Sequence, residues 1–415
     1  MDRPSSLLRD ISPPRLTKRR KTSETTNPDA KRHDINSSSS AFPTLAAVEA
    51  GQAKIQDHVA YFTEHLAKAS TSTHRDVSRL SIDEFADLYQ RNQHEHGNHF
   101  VIHQHNHPKA GVHYDVRLQF SETSSISFAV PYGLPGNPNS KRLGRMAIET
   151  RVHNLWNHLI ESASHRTGSL LIWDTGTYTV LPRKTPRQKP SSPQTTDGDS
   201  DSDLPRSKTE IRTKKYGECK KHENEKLIEA FQTRYIHLRL HGTRLPKDYT
   251  ITLRLPSTND VHQKIPPEIP RKRRGKPRQT AQPIPTDSEP EAEADADNPE
   301  NEDGDLDTDD DKDMQTRLQN AYPGATNSIG SIHQRRWYMT LDRHSSGFVQ
   351  VKSSPDKGLW VRNEEGEGRG GFEPFYIRGR NFERSVVTGR LAADVERDEG
   401  VEGFVGRGGW VGITT

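Results

Sequence analysis

Two short runs hold the densest set of groups able to do chemistry: Phe100-Val101-Ile102-His103-Gln104-His105-Asn106-His107, then His113-Tyr114-Asp115-Val116-Arg117-Leu118. Both read at period two, as strands, with a turn at Pro108–Gly111 between them. Alternate side chains of a strand share a face, so His113, Asp115 and Arg117 point one way and Tyr114, Val116 and Leu118 the other. One face is ionisable and its back is apolar, the arrangement by which a barrel wall presents a site to a lined cavity. Two imidazoles and a carboxylate suit a divalent metal with open positions. If the two strands pair as a hairpin, His105, on the same face as His103, meets His113 and Asp115. Arg117 is not a ligand type; its guanidinium is a rigid fork matched to two phosphate oxygens. A metal beside an arginine is what neutralising charge in phosphoryl transfer requires.

The rest of the chain must position these groups. Short strands are expected at Ile126–Val130, Leu170–Trp173, Arg234–Leu240 and Tyr249–Leu255, and helical turns at Leu155–Ile160 and within 46–92. The clearest helix start is Ser81, with Glu84 three residues later as a capping box. Only 29% of the 415 residues are hydrophobic and mean hydropathy is −0.97, so much of the chain is expected to be disordered around a single core. One cysteine, Cys219, excludes an internal disulfide framework and a Cys-rich zinc module. The sequence has no apolar run able to cross a bilayer and no signal-like start, so an intracellular protein without membrane contact is expected. Net charge is only +3, but basic clusters stand at Lys18–Lys21 and Arg271–Arg274 and an acidic run at Asp287–Asp313. The basic clusters read as solvated chain or as nuclear-import and nucleic-acid tethers.

The strand carrying His113-Tyr114-Asp115-Val116-Arg117-Leu118 resembles the signature of the DNA ligase D 3′-phosphoesterase family. So do Phe128-Ala129-Val130-Pro131-Tyr132-Gly133, Lys141-Arg142-Leu143 with Arg145-Met146-Ala147 and then His153, and Ile172-Trp173-Asp174-Thr175-Gly176-Thr177-Tyr178. Arg239-Leu240-His241-Gly242 and Leu245 complete a series in the family's order. The resemblance implies a small, mainly β barrel enzyme that uses manganese, or another divalent metal, to remove 3′-phosphates and 3′-terminal ribonucleotides from DNA ends. It implies metal ligands His105, His113 and Asp115, a phosphate-binding Arg117, and a second phosphate-binding and catalytic group at His153. Spacing back from His113 selects His107 as the first ligand; spacing from the strand start at Phe100 selects His105, which is preferred. Tyr132 replaces a family lysine and Asn157 a family tyrosine, leaving Arg145 or Arg142 to supply phosphate-binding charge.

The expected organisation is a basic tail at 1–45, a helical lead-in at 46–94, a barrel at 95–255 interrupted by a disordered insertion at 183–225, a linker at 256–330, and a small β-rich extension at 331–415. The expected partners are DNA or DNA/RNA 3′ ends, with repair proteins recruited through the tails, in the nucleus. Two other readings stand beside this one. The departures at Tyr132 and Asn157 allow a DNA-end-binding scaffold without turnover, and His113-x-Asp115 with His153 fits a 2-His-1-carboxylate iron oxygenase. Arg335-Arg336-Trp337 mixes basic and aromatic groups, and reads as β packing before nucleic-acid contact.

Overall fold

The computed structural model describes Leu45, Val48 and residues 55–73, 77–183, 221–259, 319–352, 355, 357–364 and 370–414. The clusters at 18–21 and 271–274, the acidic run, Cys219, and nearly all of the tail, insertion and linker expected from sequence lie outside the described residues.

Seven strands of one antiparallel wall come in chain order: β1 (His99–His107), β2 (Gly111–Gln119), β3 (Ser124–Val130), β4 (Gly144–Glu149), then, after the two-residue β5 (His153–Asn154) and the short β6 (Ser162–Ser164), β7 (Gly168–Val180), β8 (Tyr235–Gly242) and β9 (Thr250–Arg254). An eighth, β10 (Arg336–Leu341), enters between β4 and β9. Pairing of β7 with β1 closes the ring, so the fold is a closed, mainly β barrel, as expected. β5 hangs on β3 and β6 on β7, and β11 (Phe348–Gln350) pairs with β12 (Trp360–Arg362) apart from the wall.

Alternation fills the lumen. Every wall strand sends residues into one apolar core: Ile102, Val116, Phe128, Ala147, Met339, Leu253, Leu238 and Trp173, one from each. The helix α3 (Glu223–Gln232) adds Phe231, whose ring stacks on Trp337 at 5.3 Å. The outer face of β1 and β7 is also covered. Val101 and Ile172 lie in a second apolar cluster with Phe62 of α1 (His58–Ala69), Phe85 of α2 (Ile82–Gln90), Leu155, Leu159, Val386 and Val387. The capping box at Ser81 and Glu84 forms as expected and starts α2. A fourth helix, α4 (Ala392–Asp398), sits over β6 and β7.

The barrel does not end at 255, because β10 comes from the segment that the sequence sets apart as an extension. Trp337, Met339 and Leu341 face the lumen while the intervening Tyr338 is exposed. Glu149, fully buried at the end of β4, anchors this strand. Its carboxylate accepts from Arg335 Nε, Ser331 Oγ and the Ile332 amide, each at 2.9 Å, and from the Trp337 indole. Burial raises the Glu149 carboxyl, and the Arg335 charge works against that rise.

Candidate metal centre

The β1–β2 hairpin forms in the register that the chemistry needs. His105 lies opposite His113, His103 opposite Asp115 and Val101 opposite Arg117. One ligand atom from each of His105, His113 and Asp115 falls within 4.8 Å of the others, and all three residues are buried. His105 Nδ1 stands 3.5 Å from Asp115 Oδ2, His113 Nε2 3.4 Å from Oδ1, and Arg117 Nη2 3.5 Å from Oδ2.

Backbone carbonyls set the two imidazoles for coordination. His105 Nε2 lies 2.8 Å from Thr167 O, and His113 Nδ1 lies 3.0 Å from Gly111 O. A carbonyl only accepts, so each of those nitrogens carries a hydrogen, and the other nitrogen of each ring, which faces Asp115, is the one a cation would take once its proton is lost. His113 Nε2 and Asp115 Oδ1 are buried without a hydrogen-bond partner. Two imidazole nitrogens and a carboxylate oxygen, turned to one point, fit a divalent cation. Without metal, burial opposes ionisation of Asp115, but positive charge on the His113 ring, the hydrogen bond and charge of His105, and the Arg117 charge outweigh it and hold the carboxyl well below the usual carboxylate range.

His153 reaches the same neighbourhood on β5, which pairs Ser125 with His153 on the next strand over. Its ring lies 4.7 Å from the Tyr322 ring, and its Nδ1 is buried without a hydrogen-bond partner. Burial, then the Arg117 charge, holds His153 and His103 well below the ordinary imidazole value. His103 is tied by Nε2 to Ile160 O at 3.2 Å. Beside His113 a notch of about 30 Å³ is lined by Ala110, Ala129, Pro131, Ile148, Thr150 and the 333–334 segment.

Several sequence expectations change here. The ionisable row does not face the barrel cavity. The apolar row takes the lumen, and His105, His113, Asp115 and Arg117 lie on the outer face. His107 does not join the cluster; its Nδ1 accepts from the amides of Lys109 and Ala110 at 3.2 and 3.0 Å and closes the hairpin turn. The structure also does not bring Arg145 to the site. It shares the lumenal side of β4 with Ala147, and its Nη1 donates to the Arg142 carbonyl, while Arg142 itself is exposed. Among the described residues His105, and not His153, completes the ligand group. Tyr132 is 48% exposed. Asn157 follows β5 on a single helical turn, with its Oδ1 buried and unbonded.

Sequence reasoning passed over the neighbours on β3. Ser127 lies directly opposite Arg117 and Ala129 opposite Asp115. The signal was present, since Ser125 and Ser127 alternate with Ile126 and Phe128. No comparable signal marks the buried His99–His158 pair, whose Nδ1 atoms lie 2.7 Å apart across the outer face of β1.

Residues 103–253 match the family model of the DNA Ligase D 3′-phosphoesterase domain, in agreement with the motifs. This segment therefore carries a domain of a phosphoesterase hydrolase family. A stretch of 86 residues is 37% identical to the multifunctional non-homologous end joining protein LigD of Mycobacterium bovis and to the multifunctional non-homologous end joining DNA repair protein LigD of Mycobacterium tuberculosis. The similar stretch is 20% of this chain and 10% of each relative, so the chain spans about a tenth of the length of the relatives it matches. The match ends before β10, which completes the wall.

Proposed function

We propose that the protein is a divalent-metal-dependent phosphoesterase that removes 3′-phosphates or 3′-terminal ribonucleotides from DNA ends during repair. The observation that carries this reading is the His105–His113–Asp115 cluster. Its ligand atoms converge beside Arg117, inside the segment that matches the phosphoesterase domain. His105, His113 and Asp115 would hold the cation, manganese or another divalent ion. When bound, it supplies positive charge to the phosphoryl oxygens and acidifies water. Arg117 offers its fork to two phosphate oxygens and stabilises charge as it builds in the transition state. Burial and the Arg117 charge disfavour a charged His153. An arriving phosphate dianion opposes both effects, so His153 can take up a proton as substrate binds and later deliver it to the leaving oxygen. The enclosing residues exclude water, which strengthens each of these interactions. We place this activity in the nucleus on the strength of the Lys18–Lys21 cluster.

The test is incubation of the purified full chain with DNA primers ending in a 3′-phosphate or a single 3′-ribonucleotide, with and without manganese. Loss of the terminal group only with metal is the expected result. Metal and DNA binding without turnover would replace this reading with that of an end-binding scaffold.

A further inference from the structure

The outer face of β3 continues the row that begins at Arg117. Ser127, opposite Arg117, is fully buried, and its hydroxyl has no hydrogen-bond partner. Its carbonyl accepts from the Thr150 amide at 3.0 Å, which sets Thr150 beside it. The Thr150 carbonyl accepts from Asn320 Nδ2 at 3.1 Å, so the Thr150 backbone is satisfied on both sides. Its hydroxyl is not, although Thr150 is only 7% exposed and lines the notch beside His113.

A buried hydroxyl left without a partner costs about 1–3 kcal/mol, and serines in strands commonly turn to a nearby carbonyl. Two residues along the same row Ser125 does this, donating to His153 O at 3.4 Å. Among these three hydroxyls only the two beside the ionisable cluster stay unbonded. Directly opposed residues on neighbouring strands have Cβ atoms about 4.5–5.5 Å apart, so a group gripped by Arg117 lies within reach of Ser127.

We propose that the Ser127 and Thr150 hydroxyls are substrate contacts. Ser127 donates to a phosphate oxygen held by Arg117, and Thr150 hydrogen-bonds a sugar hydroxyl that enters the notch beside His113. The notch, at about 30 Å³, has room for a hydroxyl. This inference rests on the phosphoesterase reading, which it refines by assigning the groups that hold the phosphate and its sugar on the side away from β1.

Ser127→Ala, Thr150→Val and the double variant, made in the full chain, test it through four readouts: melting temperature, manganese affinity, inorganic phosphate affinity of the manganese-loaded protein, and kcat and KM on a DNA oligonucleotide ending in a single 3′-ribonucleotide, whose ribose carries free hydroxyls. Removing an unpartnered hydroxyl leaves melting temperature and manganese affinity unchanged or slightly higher. Ser127→Ala weakens inorganic phosphate about ten- to a hundredfold, one hydrogen bond to a charged group. Thr150→Val leaves inorganic phosphate alone and raises KM for the oligonucleotide about three- to tenfold, one hydrogen bond between neutral groups. Unchanged phosphate affinity and kinetics in both variants would overturn the inference while leaving the enzyme reading intact. So would a melting temperature lowered by several degrees, which would assign both groups to the fold. If the wild-type protein trims no 3′ end yet binds phosphate in a Ser127-dependent way, the phosphate contact stands and the phosphoesterase reading fails.

Discussion

Asp115 and Asp174 are both buried aspartates, on the two barrel strands that flank β1, and both lie in motifs shared with the same family, yet their surroundings differ in kind. Asp174 is satisfied by backbone. Its Oδ1 accepts from the amides of Thr175, Thr243 and Arg244 at 2.8–2.9 Å, and its Oδ2 from Leu245 at 2.9 Å. It thereby ties the turn after β8 to β7. Gly242 is needed there, because a Cβ would stand 2.0 Å from Asp174 Oδ2. Asp115 has no such amides. Two imidazoles and a guanidinium face it at 3.4–3.5 Å, and one of its oxygens has no hydrogen-bond partner. A carboxylate saturated by amides belongs to the fold, and one surrounded by titratable side chains and left short of bonds is ready for a ligand.

The sharpest way to break this comparison is to neutralise each carboxylate in turn. Asp115→Asn should abolish detectable manganese binding and cut turnover by more than about 10³, the loss expected when the charge-stabilising ion goes. Its metal-free melting temperature should stay near wild type. Manganese titration with a 3′-phosphate assay checks both; retained turnover would sink the assigned site. Arg117→Ala comes next. The cation should stay bound while turnover falls about 10²–10³, and Arg117→Lys should recover only part of that, since a point charge cannot reproduce the fork.

Asp174→Ala should act on stability instead. It strands four amides, those of Thr175 and Leu245 buried and those of Thr243 and Arg244 half-buried, and at about 1 kcal/mol for each lost bond the expected cost is about 4 kcal/mol in chemical denaturation. In whatever fraction remains folded, manganese affinity should be that of wild type.

Acid should separate the pair once more. Burial raises the Asp174 carboxyl, although the Arg244, Leu245 and Thr175 amides oppose the rise. At Asp115 the neighbouring rings and Arg117 win over burial and lower it. On acidification Asp174 should therefore take its proton first, seen as the order of carbon-13 carboxyl shifts in the metal-free protein. The stability contributions have opposite signs. That of Asp115 is present above its unfolded value, near 3.9, and is lost as pH falls through the depressed folded value. That of Asp174 is an ionisation cost, absent at low pH and growing as pH rises through the raised value. The reverse order of protonation would break the contrast.

How much of this could be seen beforehand differs along the chain. The hairpin register, the ligand trio and the mainly β wall follow from strand alternation and local spacing, because β1 and β2 are neighbours in sequence as well as in space. Which face turns inward did not follow. Period two separates two faces without ranking them, and here both are buried, the outer one beneath α1, α2 and Val386–Val387. β10 was hidden for another reason. Its apolar Trp337, Met339 and Leu341 follow Arg335 and Arg336, and its partners β4 and β9 lie far upstream, beyond residues 260–318. Arg145 was misplaced by the same blindness to phase, since Ala147 two residues later is what commits that row to the lumen.

The smallest expected effect concerns two neighbouring histidines of β1. His105 and His107 share a face, and their rings meet edge-on at 5.4 Å, so chemistry alone does not choose between them. Their bonds do. The Thr167 carbonyl makes His105 Nε2 a donor and turns Nδ1 toward Asp115. His107 uses its Nδ1 as an acceptor for the Lys109 and Ala110 amides, so that nitrogen is spent on the turn. Asn caps turns in the same manner with its side-chain oxygen. His107→Asn should therefore cost no more than about 0.5 kcal/mol of stability and leave manganese affinity and turnover at wild type, whereas His107→Ala should cost about 1 kcal/mol, with metal binding still intact. His105→Asn should lose the cation. Calorimetric manganese titration of the three variants decides the matter: a His107→Asn protein that no longer binds metal would move the ligand two residues along the strand and take the carbonyl-set tautomer argument with it.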